Sequence, residues 1–427
     1  MDAAMTRFGR TGKALALAGG AVALSLGLAG VLGQAPGPRA LALQASDEQV
    51  LAETLGVTER TPYRPGTETL GSDEMRVVAC GTGMPNARPK QAAACFLVEL
   101  GNGDKFLFDI GTGSAERISA QKIPYDLLDK VFIGHLHSDH MGDLDALWIG
   151  GVISNRQRPL RIWGPSSTRR EWGTAYAVEK MNEMYSWDSA SRLGNVNTLG
   201  LKTQVQEFDY TKVNHEIYNA NGVVIKSLPA VHALDGSVSY TLEWNGLKFA
   251  FSSDTYPNKW WIENTKGADI AIHESFLPPN LLVTKQKFPV ADALNVGTQV
   301  HTSPAQFGKV MALTKPRLAV AYHFFNDADI RPDVAKQIRS VYDGPVALAT
   351  DYMVFNISKK NIRVRMSEID EDIFPQPSLT KKLPADPSQR VGFTPFIASG
   401  KAVFKDVLKK TYAMVNEMFG TDIQPPL

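Results

Sequence analysis

Cysteine is scarce in this chain. Only Cys80 and Cys95 occur in 427 residues, so at most one disulfide can form and a disulfide-rich scaffold is excluded. Both lie in apolar, strand-like segments, where a single disulfide and two buried free thiols are both open readings. Excess charge is equally scarce: 45 Lys and Arg stand against 44 Asp and Glu. Residues 1–45 hold four of the bases (Arg7, Arg10, Lys13, Arg39) and one of the acids (Asp2), so without them the formal charge moves from +1 to −2. A mildly acidic protein lacks the basic excess that grips phosphate backbones, which argues against nucleic acid as a partner. No run beyond residue 45 is long and apolar enough to cross a bilayer.

What is present is an ordinary globular composition, 44% hydrophobic and 21% charged, with ample material for a core. The first segment differs from the rest. Arg7, Arg10 and Lys13 precede an Ala/Gly/Leu-rich run from Ala14 to Gly33, and the small-residue pattern Ala40-Leu41-Ala42 follows. This is the layout of an export signal over residues 1–45 and predicts a periplasmic or secreted protein. The run of about 19 residues exceeds the usual ~7–15 of a signal peptide, so an uncleaved membrane anchor is the alternative. Residues 46–74 are polar and read as a linker or leader into a domain spanning 75–366. Beyond it, residues 367–427 form a C-terminal extension, acidic and then proline-rich. It ends in an amphipathic helix over Lys401–Phe419, with Val403, Phe404, Val407, Leu408, Val415 and Met418 on its apolar face. That face is expected to pack back on the domain or on a partner subunit of a homo-oligomer.

Within the domain, short apolar runs alternate with turn signals. Met75–Cys80 reads as a strand, and Ala93–Leu100 pairs with Lys105–Asp109 across Asn102-Gly103. Val131–Ile133 and Pro159–Trp163 follow as strands. Ser167–Met184 is expected to be helical, with Trp172, Tyr176, Tyr185 and Trp187 in core or lid packing, and the lining of a substrate cleft as the alternative. Val238–Trp244 and Leu247–Phe251 flank Asn245-Gly246, a two-residue hairpin signal. Ala268–Ile272, Leu318–Tyr322, Val346–Thr350, Met353–Ile357 and Ile362–Met366 are further strands. Ala305–Leu313 reads as a helix capped by Thr302 or Ser303.

The chemistry concentrates in one loop. Phe132-Ile-Gly-His-Leu-His-Ser-Asp-His-Met-Gly-Asp143 brings His135, His137, Asp139 and His140 into six residues, between a strand and a helical stretch. Imidazole with carboxylate suits zinc or another first-row divalent ion. Elsewhere, strand after strand ends in a residue able to bind metal: Asp109, His232, Asp254, His273 and His323. Strand ends on one edge of a layered α/β protein share a cleft, so these residues should converge. The set favours a dinuclear centre. His135, His137 and His232 would hold one ion; Asp139, His140 and His323 the other; Asp254 would bridge them. Of eight histidines, five fall in this arrangement, and only His215 lacks a candidate place at the site.

His-Leu-His-Ser-Asp-His resembles the signature of the metallo-β-lactamase superfamily of metal-dependent hydrolases, and His232, Asp254 and His323 follow in that family's order. The resemblance covers residues 75–366 and implies an α/β fold, a four-layer αβ/βα sandwich with a metal cleft along one edge. Gly81-Thr82-Gly83-Met84-Pro85, Asp109-Ile110-Gly111, Gly164-Pro165, Ser253-Asp254-Thr255, His273-Glu274-Ser275-Phe276 and His301-Thr302-Ser303 are similar to landmarks of the ribonuclease Z and zinc-dependent arylsulfatase branch. That likeness implies that His301 contacts the substrate's anionic group or leaving oxygen and that Glu274 orients it. Two departures bear on the substrate. Ser253 stands where the branch usually has glycine, and Phe324-Phe325-Asn326-Asp327 differs from its usual residues after His323.

The resemblance implies two divalent ions, with Zn2+ expected and Mn2+ or Fe as alternatives. Such a pair lowers the pKa of a shared water so that it attacks as hydroxide. Asp139 would ligate while orienting that nucleophile, Asp109 would support a ligand histidine, and His301 would serve the leaving group. The expected function is an exported hydrolase of a small ester, arylsulfatase-like or phosphodiesterase-like. The alternatives are lactone or β-lactam ring opening, which needs no His301, and a catalytically silent metal-binding accessory protein.

Overall fold

Several strands of this chain, Met75–Gly81, Cys95–Leu100 and Leu318–Tyr322 among them, are mostly apolar and buried at every position. In the computed structural model residues 62–374, 376 and 382–426 are described. The export or anchor reading of residues 1–45 lies outside them, as does the leader up to residue 61. The strands are β1 (Met75–Gly81), β2 (Cys95–Leu100), β3 (Lys105–Phe108), β4 (Lys130–Phe132), β5 (Leu160–Pro165), β6 (Thr203–Phe208), β7 (His215–Ala220) and β8 (Val223–Pro229). They continue with β9 (Val238–Trp244), β10 (Leu247–Phe251), β11 (Ile270–Glu274), β12 (Leu318–Tyr322), β13 (Val346–Leu348), β14 (Met353–Ile357) and β15 (Ile362–Met366). Two sheets result, one ordered β15-β14-β1-β2-β3-β4-β5-β6 and the other β13-β12-β11-β10-β9-β8-β7.

Side-chain alternation explains the layers. In β1, Met75, Val77 and Ala79 face the other sheet while Val78 and Cys80 face helices; in β12, Leu318, Val320 and Tyr322 face inward while Ala319 and Ala321 face out. The inner layer is rich in rings: Phe108 sits 4.9 Å from Phe249 and 5.3 Å from Phe132, and Phe132 stacks on Trp163 at 4.7 Å. Burying each such side chain contributes about 1.5–3 kcal/mol. Helix Leu144–Ile153 covers the first sheet with Leu144, Leu147 and Trp148; helix Pro304–Thr314 covers the second with Phe307, Val310 and Met311. The result is the αβ/βα sandwich expected from the sequence.

Strand direction sets where the chemistry falls. β3 and β4 are parallel, as are β10, β11 and β12; β8 is antiparallel to β9 and β9 to β10, so β8 runs with β10. Within each sheet these strands therefore end at a common edge, and their trailing loops carry the polar residues.

Several expectations are corrected. The 167–184 segment is not one helix: Arg170–Trp172 is a short 3-10 turn, Thr174–Met184 is helical, and Ser186–Arg192 is a separate helix. Only Thr174, Val178 and Met181 of the middle piece are buried. Trp172 and Trp187 lie off that face and are 43% and 80% exposed, so neither packs in the core. Strand β11 extends through His273 and Glu274. The leader, where described, is not a free linker: Tyr63 is buried, its N–H donates to the Met366 carbonyl, and its hydroxyl accepts from Arg76 at 2.9 Å. The C-terminal helix spans Lys405–Phe419, and none of its residues is buried, so nothing among the described residues covers its apolar face. Cys80 and Cys95 are buried free thiols. Among the described residues no helix is long and apolar enough to cross a membrane.

Candidate metal centre

The histidine loop changes conformation midway, and this divides its side chains. His137 is extended (φ −65°, ψ 150°) and precedes a short helix, Ser138–Met141. His135 and His137, two apart on the extended part, lie on one side. His135 Nε2 is 2.9 Å from His137 Nδ1, and His232 Nε2 reaches the same atom at 3.4 Å. Asp139 and His140, on the helical turn, fall to the other side, where His323 Nε2 lies 3.1 Å from Asp139 Oδ2. Asp254, after β10, touches both groups: Oδ2 is 3.9 Å from His232 Nε2 and 3.1 Å from His323 Nε2, and Oδ1 is 3.3 Å from His140 Nε2.

The donor atoms thus form two sets, His135–His137–His232–Asp254 and Asp139–His140–Asp254–His323, each spanning no more than 4.8 Å. All seven residues singled out from the sequence come together in the expected split, with Asp254 common to both. A third set joins Asp254 and His323 to Glu274 and His301. His301 Nδ1 pairs with Glu274 Oε2 at 2.9 Å, and its ring stacks on Phe276 with 4.0 Å between centroids and 6° between planes. His137 is the exposed member of the first set, at the mouth of the cleft.

Glycine and left-handed turns bring these loops into contact. A Cβ on Gly111 would lie 2.0 Å from the Asp139 carbonyl oxygen, so the loop after β3 can lie under the histidine loop only without a side chain there. Ile110 N–H donates to the His140 carbonyl across the same contact. Asp109, Ser253 and His323, each just beyond a strand, have φ of 56°, 49° and 71°. Non-glycine residues seldom adopt this conformation, and such strain concentrates at functional sites. Asp109 uses its turn to accept from His140 Nδ1–H at 2.6 Å through Oδ2 and from Gly134 N–H at 2.6 Å through Oδ1.

His273 does not join the cluster. It is adjacent to Glu274 on a strand, so the two point to opposite faces. Glu274 turns to the cleft, whereas His273 packs edge-on against Trp261 and near Phe307 in the helix-covered layer. Its Nδ1–H donates to the Glu274 carbonyl at 2.8 Å, and burial pushes its pKa down to about 4, so it stays neutral. Its place is structural. His215 likewise stands apart, beside Phe208 at the start of β7.

The electrostatics suit cations. Burial lowers the pKa values of His135, His137 and His232, the last to about 3, which keeps these imidazoles neutral and able to donate a lone pair. Burial alone would raise Asp139 and Asp254, but His140 and His323 hold both carboxyls well below their usual range. His140 shows the reverse: burial opposes its charge, yet Asp254, Asp139 and Asp109 push its pKa well up. A proton on His140 offsets part of the charge of the aspartates around it, as a cation would. Burial raises Glu274, Asp254 adding to the effect, and burial lowers His301.

Buried atoms without partners test the fit to metal. Asp139 Oδ1, His140 Nε2, Asp254 Oδ1 and His323 Nδ1 make no hydrogen bond. An uncompensated buried polar atom is costly, and three of these four belong to donor groups facing the second set. His135, His140 and His232 each commit Nδ1 elsewhere, to Ser253 Oγ, Asp109 Oδ2 and the Val300 carbonyl, which leaves Nε2 for a ligand. Oxygen and imidazole donors in this number fit two divalent ions of the zinc type.

Comparison with known proteins agrees with the geometry. The family model described as Anti-Pycsar protein Apyc1 matches residues 75–280. The chain is 28% identical over 203 residues to ribonuclease Z of Mycobacterium marinum, which spans 47% of this chain and 70% of that protein. It is 25% identical over 262 residues to ribonuclease Z of Saccharolobus islandicus, which spans 56% of this chain and 88% of the relative. Among solved structures, the metallo-β-lactamase fold protein YhfI of Bacillus subtilis superposes with a TM-score of 0.50 at 16% identity, covering 67% of this chain and 100% of that one. The chain thus has the metallo-β-lactamase fold, and its paired donor sets together with its likeness to ribonuclease Z support a metal-dependent hydrolase near that enzyme.

Proposed function

We propose that this protein hydrolyses a small phosphate or sulfate ester, using two divalent cations held by His135, His137 and His232 on one side and Asp139, His140 and His323 on the other, with Asp254 shared. The observation that carries the reading is the double donor set, in which Asp139 Oδ1, His140 Nε2 and Asp254 Oδ1 are buried without a partner. What the cations supply when bound is Lewis-acid polarisation of the ester and a lowered pKa for water. The chain's own groups do the rest. Asp139 Oδ1, buried and unpartnered, accepts the hydrogen bond that orients the incoming water. Glu274 fixes the His301 ring through Nδ1, and stacking on Phe276 holds its plane, which leaves Nε2 for the leaving oxygen.

The substrate's remainder has a seat beside the centre. A cavity of about 600 Å³ opens next to His232, walled by Val231, Leu234, Trp260 and Val300, with Asp235 at its edge and no Lys or Arg in its lining. This size suits a small molecule. An acidic, largely apolar wall disfavours a polyanionic strand and favours an ester with one uncharged group. The N-terminal run from Ala14 supports action outside the cytoplasm.

The test is turnover by the zinc-loaded protein on a panel of chromogenic phosphodiester, phosphomonoester, sulfate, lactone and β-lactam substrates, alongside a precursor transfer RNA. Chelator-sensitive release from a phosphate or sulfate ester is expected. Cleavage confined to the RNA, suggested by the ribonuclease Z relatives, or to the ring substrates would replace this reading.

A further inference from the structure

We propose that Ser253 is a positioning residue whose single hydroxyl serves both halves of the metal centre. The inference rests on the two-ion reading above and adds to it a residue that no ligand set contains. Ser253 is fully buried, and its φ of 49° is one that glycine adopts freely and serine does not. A side chain kept at such a position needs a reason, and its contacts supply one. Ser253 O–H donates to Asp109 Oδ2 at 2.9 Å, and Oγ accepts from His135 Nδ1–H at 3.2 Å. His140 Nδ1 lies 3.3 Å from the same oxygen.

The proton count is closed. A hydroxyl has one hydrogen to give and lone pairs to receive, and the Asp109 carboxylate only accepts. Asp109 Oδ2 takes the Ser253 and His140 hydrogens, and Ser253 Oγ takes the His135 hydrogen. Both imidazoles are thereby held with hydrogen on Nδ1 and a lone pair on Nε2, the atom each turns to its donor set. Without the hydroxyl, His135 Nδ1 has no acceptor and its tautomer is no longer set.

The neighbouring backbone is cut to match. A Cβ on Gly134 would lie 2.2 Å from Ser253 Oγ and 2.3 Å from its Cβ, so the residue before His135 must be glycine for the serine to fit. Gly134 N–H also binds Asp109 Oδ1. Gly134, Asp109 and Ser253 thus form one bracket behind His135 and His140, and Ser253 is its link between the sheets.

The experiment compares wild type with Ser253→Gly and Ser253→Ala as full-length chains. Zinc stoichiometry and affinity are measured by competition with a chromophoric chelator, the Co2+ absorption spectrum is recorded, and the Tm of the metal-free protein is taken. Glycine suits the backbone, so the metal-free Ser253→Gly protein should melt no lower than wild type while one zinc binds about 10- to 100-fold more weakly and the Co2+ bands shift. Ser253→Ala, strained and without the hydroxyl, should lose affinity likewise. Unchanged zinc affinity in Ser253→Gly overturns the proposal, as does a fall in metal-free Tm with metal binding intact, which marks a merely structural serine. Wild type that binds no zinc overturns the two-ion reading itself, and this proposal with it.

Discussion

Phe108 and Phe419 are the same residue in opposite surroundings: the first is fully buried between the two sheets, the second 71% exposed at the end of the C-terminal helix. Both stand in stretches whose apolar spacing is regular. Around Phe108, strands supply rings on every side, and the strand ends so fixed bring Asp109 to His140. Around Phe419 and Met418 nothing among the described residues covers the apolar face. Periodicity therefore makes an element, but only a second surface makes it part of a core. The site exists because the first region has that surface.

This contrast can be broken or sharpened by experiment. The largest effect is expected at the centre itself. Chelation, or Asp254→Asn, which weakens the one ligand common to both sets, should abolish turnover and drop bound zinc below two per chain, as read by elemental analysis and substrate assay. Two firmly bound zinc ions in the variant would remove Asp254 from its shared role. Next, His301→Ala is predicted to cut kcat by about 10²- to 10⁴-fold while zinc content stays at the wild-type level. Turnover unchanged on every active substrate would take away the leaving-group role.

Two stability measurements then set the regions side by side. Phe108→Ala should destabilise the fold by about 3–5 kcal/mol in urea unfolding, because it opens a cavity among rings that cannot collapse onto it. Phe419→Ala should change stability by no more than about 0.5 kcal/mol, since its side chain is already in water. A large loss at Phe419 would mean that a second chain covers that helix in solution, and sedimentation of the variant against wild type would show it.

Much of the site was legible in the sequence because metal chemistry needs specific residue types in quantity. His135, His137, Asp139 and His140 lie close in the chain, and His232, Asp254 and His323 each follow a strand that its apolar pattern reveals. The pairing of Glu274 with His301 came from family likeness. For His273 the sequence left a place at the cleft and a buried structural place both open; the alternation of a strand sends Glu274 to the cleft and His273 to Trp261. Trp172 and Trp187 were misjudged because aromatic composition reports a tendency to be buried, not a surface that buries it.

By itself, the sequence determined most of the elements and the donor set, since these follow from periodicity and from what each side chain can bind; the layering was what the family resemblance implied. Only the tertiary structure decided the rest. Ser253 reads as an ordinary serine in place of a glycine, and its left-handed φ and its three contacts arise from loops of both sheets meeting behind Gly134. The C-terminal helix reads as a packing element and stands exposed. In both cases what matters is the distance between residues far apart in the chain, and that is set by how the sheets and loops pack, which no local pattern encodes.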